Sequence, residues 1–235
     1  MPALQTSRRC PRAAVLRRAG FACLALLAAA GAVRAGAWPR DKGHSFVATA
    51  SQVSATSLAG PVASYSTVYI EHGLGRSLTL GADFGHGISG KGKAVIFLRK
   101  SLPERPGGHR LAIELGLGTI AGEAALRPGF SYGRGLTRRG GKGGWISVET
   151  TAEIRLDSGR TDFKADFTLG LNHGDRLKTI LQLQTGISQG DPSFIRLAPS
   201  LVLRTGPAAH IEIGAAAGLV GDDSYGLKLG FWRDF

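Results

Sequence analysis

Tyr225-Gly226-Leu227-Lys228-Leu229-Gly230-Phe231-Trp232-Arg233-Asp234-Phe235 closes the chain. Steps of two place Tyr225, Leu227, Leu229, Phe231 and Phe235 on one side of an extended segment. Lys228, Gly230, Trp232 and Asp234 fall on the other. Successive side chains of a strand point to opposite faces. The segment therefore presents one apolar face and one polar or small face, as a strand between lipid and a polar interior requires. Arg233 shares the apolar parity, and its long stem carries the charge to water near an interface.

The same alternation runs back through the chain. Leu78, Leu80, Ala82 and Phe84 alternate with Thr79, Gly81 and Asp83. Leu111, Ile113, Leu115 and Leu117 alternate with Arg110, Ala112, Glu114 and Gly116, and Ile146 to Ile154 alternate with Ser147, Glu149, Thr151, Glu153 and Arg155. Phe163 to Leu171 alternate with Lys164, Asp166 and Thr168, and Leu181 and Leu183 oppose Lys178, Gln182 and Gln184. Recurrence at two residues is a strand signal, whereas a helix repeats at three and four. Turn-forming residues separate the segments at Gly73-Leu74-Gly75, Pro106-Gly107-Gly108, Asp157-Ser158-Gly159, Asn172 to Asp175, Gln189 to Pro192, Gly206-Pro207 and Gly221 to Asp223. Weaker strands near 44–53, 63–72, 92–100, 123–133 and 208–219 bring the count to about twelve, each close to the ~9–11 residues that cross a bilayer at a tilt. The basic, glycine-rich stretch Arg134 to Gly144 reads as the main irregular connection. The fold expected is all-β, a single antiparallel transmembrane β-barrel of about twelve strands, with both termini on one side.

The beginning of the chain has a different grammar. Arg8, Arg9, Arg12, Arg17 and Arg18 precede an apolar run from Phe21 to Ala30, and Ala35-Gly36-Ala37 offers an A-x-A cleavage site. Val33-Arg34-Ala35 offers a competing one. Residues 1–37 are read as a cleaved signal peptide and residues 38–235 as the barrel. Cys10 and Cys23 both leave with the leader, which excludes disulfides and cysteine chemistry from the mature chain. The formal charge of +12 includes six arginines before Trp38, so removing them leaves +6. That charge is scattered and lacks the aromatic platforms of a nucleic-acid surface.

The ending resembles the carboxy-terminal strand by which bacterial outer-membrane β-barrels are recognised for insertion, with Tyr225, Leu227, Leu229, Phe231 and Phe235 as the assembly signal. His72-Gly73-Leu74-Gly75-Arg76-Ser77-Leu78-Thr79-Leu80-Gly81 is similar to the hairpin "Y-G-L-x-x-x-L-x-L-G" of small, largely uncharacterised proteobacterial barrels, with His72 in place of the tyrosine. Arg127 to Gly135 and Leu197 to Ser200 are similar to their later strands. The resemblance implies an outer-membrane protein of a Gram-negative bacterium, in contact with outer-membrane lipids and the barrel-assembly machinery. It transfers no catalytic, cofactor or metal residue.

The chemistry-bearing patterns are few. Gly85-His86-Gly87-Ile88-Ser89-Gly90 spells a G-x-G-x-x-G after a strand. A phosphate site needs a helix to start there, and the residues from Lys93 to Leu98 read as strand, so a barrel loop is expected. The six histidines show no metal-ligand spacing. The polar face carries Asp83, Glu114, Glu149, Glu153, Asp166 and Glu212. It also carries Arg99, Arg110, Arg127, Arg155, Lys164, Arg176, Lys178, Arg196 and Lys228. These are the expected lumen-lining residues. Two readings follow: an ion-pair network that fills the lumen, or a polar conduit whose basic excess favours small anionic solutes. About twelve strands lies between filled barrels of ~8 and open porins of ~16, so size alone leaves both standing. The leading expectation is a structural or passive-passage barrel that is not an enzyme. The alternatives are a barrel enzyme acting on lipid or peptide, and a soluble periplasmic β-sandwich or lipocalin-like binding protein whose apolar face turns inward.

Overall fold

The computed structural model describes residues 36–57, 59–88, 92–137, 143–190 and 192–235. The expected leader, residues 1–35 of it, lies outside the described residues, as does the basic turn from Arg138 to Lys142.

Twelve strands form: β1 (Ser45–Ala55), β2 (Val62–Gly75), β3 (Leu78–Gly87), β4 (Gly92–Ser101), β5 (His109–Ile120), β6 (Glu123–Thr137), β7 (Gly143–Arg155), β8 (Thr161–Asn172), β9 (Leu177–Ser188), β10 (Phe194–Arg204), β11 (Ala209–Val220) and β12 (Tyr225–Asp234). Each pairs antiparallel with its sequence neighbours, and β12 closes on β1 from Phe46↔Asp234 to Ala55↔Tyr225. Closure satisfies every edge, which hydrocarbon demands because it offers no water to unpaired backbone groups. Ser45 and Phe235 exchange backbone hydrogen bonds of 2.9 and 3.2 Å, so the two ends of the barrel chain meet at one rim.

Alternation sorts the side chains radially, in the sense opposite to a soluble protein. Ile96 (60% exposed), Leu115 (54%) and Leu227 (71%) point outward, whereas Arg99, Arg127, Glu153 and Glu212 are buried inside. The soluble sandwich and lipocalin readings require the reverse. A water-soluble chain does not exchange an apolar exterior for a charged interior, because both steps cost free energy.

Two expected turns differ in detail. Gly73-Leu74-Gly75 is a bulged part of β2, and the chain reverses at Arg76–Ser77. Both of these residues have positive φ, 52° and 60°, the geometry of a two-residue hairpin whose twist matches its strands. Gly73 serves a different purpose. A Cβ there would lie 2.0 Å from the carbonyl oxygen of Asp41, because the segment before β1 crosses over it. The described residues of the stretch Arg134 to Gly144 are strand: β6 continues to Thr137 and pairs with β7 up to Thr137↔Gly143. Trp145 on β7 lies flat on Gly170 of β8, where a Cβ would come within 2.2 Å of the indole. Gly170 thus makes room for a bulky inward ring.

Candidate functional site

The lumen is divided lengthwise. Inside the β2–β6 wall, acids and bases alternate in one connected chain. Arg40 Nε stands 2.6 Å from Glu71 Oε2, and Arg99 bridges Glu71 at 2.5 Å and Glu114 at 2.7 Å. Arg127 bridges Glu114 at 2.9 Å and Asp83 at 2.5 Å, and Lys93 ends the chain on Asp83 at 2.7 Å. Tyr69 Oη donates to Glu71 Oε1 at 2.8 Å and accepts from Arg99 Nη2 at 2.9 Å. The guanidinium forks of Arg99 and Arg127 suit this task, since each presents several donors in a fixed plane. Both also sit over the Phe97 ring, 5.0 and 5.4 Å from its centroid. Phe97 lies on Gly81, where a Cβ would be 2.1 Å from the ring.

A strap, residues 36–43, adds to this filling. Ala37 and Trp38 are buried, and the Trp38 ring covers Gly133 of β6. Arg40 reaches Glu71, lies over the Phe46 ring at 4.5 Å, and stands 3.6 Å from Asp234. At the rim where the termini meet, Phe46, Val202, His210 and Trp232 are buried, with the Phe46 and Trp232 rings 6.4 Å apart edge to face.

Inside the β8–β12 and β1 wall the contents change. A cavity of about 410 Å³ runs along it, with Lys93, Lys164, Arg196 and Lys228 as its cations and Asp166 and Glu212 as its carboxylates. Gln52, Gln182, Gln184 and Ser200 supply neutral polar surface. The space exists because inward positions there are small: Ala50, Ala198 and Ala216 line it. Each cation has a local acid: Lys93–Asp83 and Lys164–Glu153 at 2.7 Å, Lys228–Glu212 at 2.9 Å, and Arg196 with Asp222.

Most of the expected lumen-lining residues take inward positions: Asp83, Glu114, Arg127, Glu149, Glu153, Arg155, Lys164, Asp166, Lys178, Arg196, Glu212 and Lys228. Arg155 pairs with Asp162 at 2.9 Å near the far rim. Arg110 sits at the terminal rim and pairs with Glu104 of the β4–β5 loop. Arg176 departs from expectation. It is exposed in the turn between β8 and β9, because Lys178 is the first inward position of β9. Tyr225, Leu227, Leu229, Phe231 and Phe235 all point outward and are exposed. Glu71, Tyr69, Trp38 and Arg40 were not singled out by the sequence. Glu71 and Tyr69 share a parity opposite Val68 and Ile70 within the strand expected near 63–72, and that alternation was the signal that could have found them. The G-x-G-x-x-G begins within β3, its Ser89 and Gly90 lie outside the described residues, and the next described element is the strand β4 from Gly92. Gly85 admits Tyr65, whose hydroxyl would be 2.0 Å from a Cβ there. Among the described residues no three His, Cys, Asp or Glu side chains are grouped to hold a metal.

Fold and lumen together define a closed twelve-stranded barrel of the outer-membrane type, lipophilic outside and half filled by ion pairs inside. Solved structures place it among known shapes. It is similar to the KdgM porin in complex with disordered oligogalacturonate, at TM-score 0.60 and 7% identity over 81% of this chain and 99% of that one. It is similar to an outer-membrane channel from Pseudomonas putida F1, at TM-score 0.59 and 9% identity over 87% and 100%. It is also similar to the NanC porin, at TM-score 0.59 and 10% identity over 80% and 98%. No family model matches the chain, and no curated protein matches it in sequence. At these identities the likeness is one of fold.

Proposed function

We propose that the protein is an integral outer-membrane barrel, exported by a cleaved leader, that lets small polar solutes pass along the β8–β12 side of its lumen, with anions favoured. One observation carries this reading: a polar cavity of about 410 Å³ beside a half-lumen that is filled. Four cations against two carboxylates line it, and fixed positive charge lowers the barrier to anions. Because each cation already has an acid beside it, the preference is expected to be modest. The fold is shared with a porin described with oligogalacturonate, which is itself a polyanion. The outward Phe235 strand end supports recognition by barrel-assembly machinery, and deleting Phe235 is expected to spare export while reducing assembled barrel.

The test is conductance in a planar bilayer. Purified protein is expected to give small, discrete steps whose reversal potential in a salt gradient favours anions. A silent bilayer would remove the passage reading and leave a structural role.

A barrel-enzyme reading has one observation in its favour. Ser45 Oγ and His72 Nδ1 lie 2.8 Å apart on the outward face near the terminal rim. Nucleophilic catalysis needs a third group to orient the base. None accompanies this pair among the described hydrogen bonds, and the pair reads better as interfacial polarity.

A further inference from the structure

Two luminal carboxylates stand apart from the rest. Glu71, Asp83, Glu114, Glu153, Asp162 and Glu212 each have a cation within 4.0 Å. Among the described residues, Glu149 and Asp166, neighbours across β7 and β8, have none. They share a cavity of about 160 Å³ whose walls carry five carboxylates and four cations, an excess of one negative charge. Those four cations are engaged with other acids. A carboxylate held in a confined space without a counter-ion is costly, so a missing cation is the feature to explain.

The strap ends beside this pair. The Gly36 backbone is so close to Glu149 that a Cβ on it would lie 2.6 Å from Oε1 and 2.7 Å from Cδ. Gly36 has a φ of +46°, Ala37 is fully buried, and Trp38 covers Gly133. Its position is therefore fixed by packing against the neighbouring strands β6 and β7. Sequence reasoning left two cleavage sites open, one of which falls between Ala35 and Gly36.

We infer that the leader is removed after Ala35 and that the new Gly36 α-ammonium docks on Glu149 as its counter-ion, anchoring the strap across the lumen. The inference rests on the exported-barrel reading above. In the reaction, catalysed by the signal-removing protease of the export pathway, one water is consumed. The Ala35–Gly36 C–N bond breaks, Ala35 leaves as a carboxylate, and the Gly36 nitrogen takes up the protons. A neutral amide nitrogen with one donor becomes a cation with three. The charge balance of the cavity then closes. Cleavage precedes barrel closure, so the ammonium is present when the strap is enclosed. Cleavage after Ala37 instead would discard Gly36, the residue that reaches Glu149.

The test uses mature protein purified from outer membranes of a Gram-negative host. Intact mass is expected to show a chain beginning at Gly36, and one beginning at Trp38 or retaining the leader overturns the inference. The rate at which an acylating reagent modifies the α-amine is then followed against pH, scored on the amino-terminal peptide by mass spectrometry. Pairing with a carboxylate favours the charged form. The amine is therefore expected to titrate above the ~7.7–8.0 of a free α-amine. Each unit of that shift makes labelling near neutral pH about tenfold slower than in the unfolded chain. Glu149→Gln is expected to return the midpoint toward the free value, whereas burial alone would leave it unchanged. A wild-type midpoint at or below the free value overturns the inference, whether or not Glu149→Gln assembles. Absence of the protein from the outer membrane would remove the exported-barrel reading as well. A cleaved, heat-modifiable barrel whose amine titrates freely would remove only this inference.

Discussion

The β2–β6 wall and the β8–β12 wall carry the same outward pattern and opposite interiors. In the first, arginines face acids on neighbouring strands at matched height, as in Arg99↔Glu114, and aromatic rings lie on glycines behind them. In the second, alanine, serine and glutamine hold many of the inward positions along the cavity, and the lysines reach only as far as their local acids. The difference shows that strand number leaves the occupancy of a lumen undecided. Residue size and cross-strand charge matching decide it, wall by wall. The two sequence readings, conduit and ion-pair filling, each describe one side.

The comparison is easiest to break at the centre of the filled side. Glu114→Ala removes the acid shared by Arg99 and Arg127, leaving each buried guanidinium one acid, Glu71 or Asp83, and the network one uncompensated positive charge. Its expected cost is ~3–5 kcal/mol, read by denaturant unfolding in vesicles. Gln182→Ala on the open side is expected to be near neutral in the same assay.

Arginine substitution separates the walls by room. Arginine on the outward face, as in Leu115→Arg, is expected to cost ~2–4 kcal/mol wherever it enters hydrocarbon. An inward arginine is expected to depend on the wall. Gly116 has Val95 Cγ1 only 2.7 Å from where a Cβ would sit, so Gly116→Arg should block folding. Gln182 faces the large cavity, so Gln182→Arg should fold normally. Equal damage by both would remove the division of the lumen.

Selectivity should follow the open side alone. Replacing Lys164 and Lys228 together with Gln is expected to reduce or reverse the modest anion preference in reversal-potential measurements. Arg176→Gln is expected to leave it unchanged, since Arg176 stands in an exposed turn.

The smallest effect lies at the far rim. The Asp222 carboxyl is held below its ordinary range. Burial raises it, but the bonds from Ser224 and Arg196 outweigh that. A carboxylate with a depressed folded value adds stability above its unfolded value of ~3.9, and that stability is lost as pH falls through the lower folded value. The pair is partly solvated, so the contribution is ~0.2–1 kcal/mol. Asp222→Asn should remove that part of the acid dependence in melts taken between pH 5 and pH 2.

The barrel was legible in the sequence because alternation is a local signal, repeated strand after strand from Leu78 to Phe235. The inward charges were legible for the same reason. Arg176 was misplaced because parity alone does not mark where a strand begins. Gly73 looked like part of a turn because glycine marks both turns and close approaches, and here the close approach of Asp41 accounts for it. The strap left no trace, since the few residues from Gly36 to Arg40 have no periodicity and their partners lie on distant strands. Which side is filled was also hidden. It depends on which charges face each other across the barrel, and that is set only when β12 meets β1.

Cysteine accessibility tests the divided lumen most directly, because the chain has no cysteine after Cys23. Gln184→Cys places a thiol on the large cavity, and Ser147→Cys places one at a buried inward position of β7. In assembled barrels in vesicles, a charged water-soluble thiol reagent is expected to modify the first at least ~10-fold faster, as solvent access to the thiol requires. Comparable rates at the two positions would contradict the account, because they would mean that the lumen is uniformly open or uniformly filled.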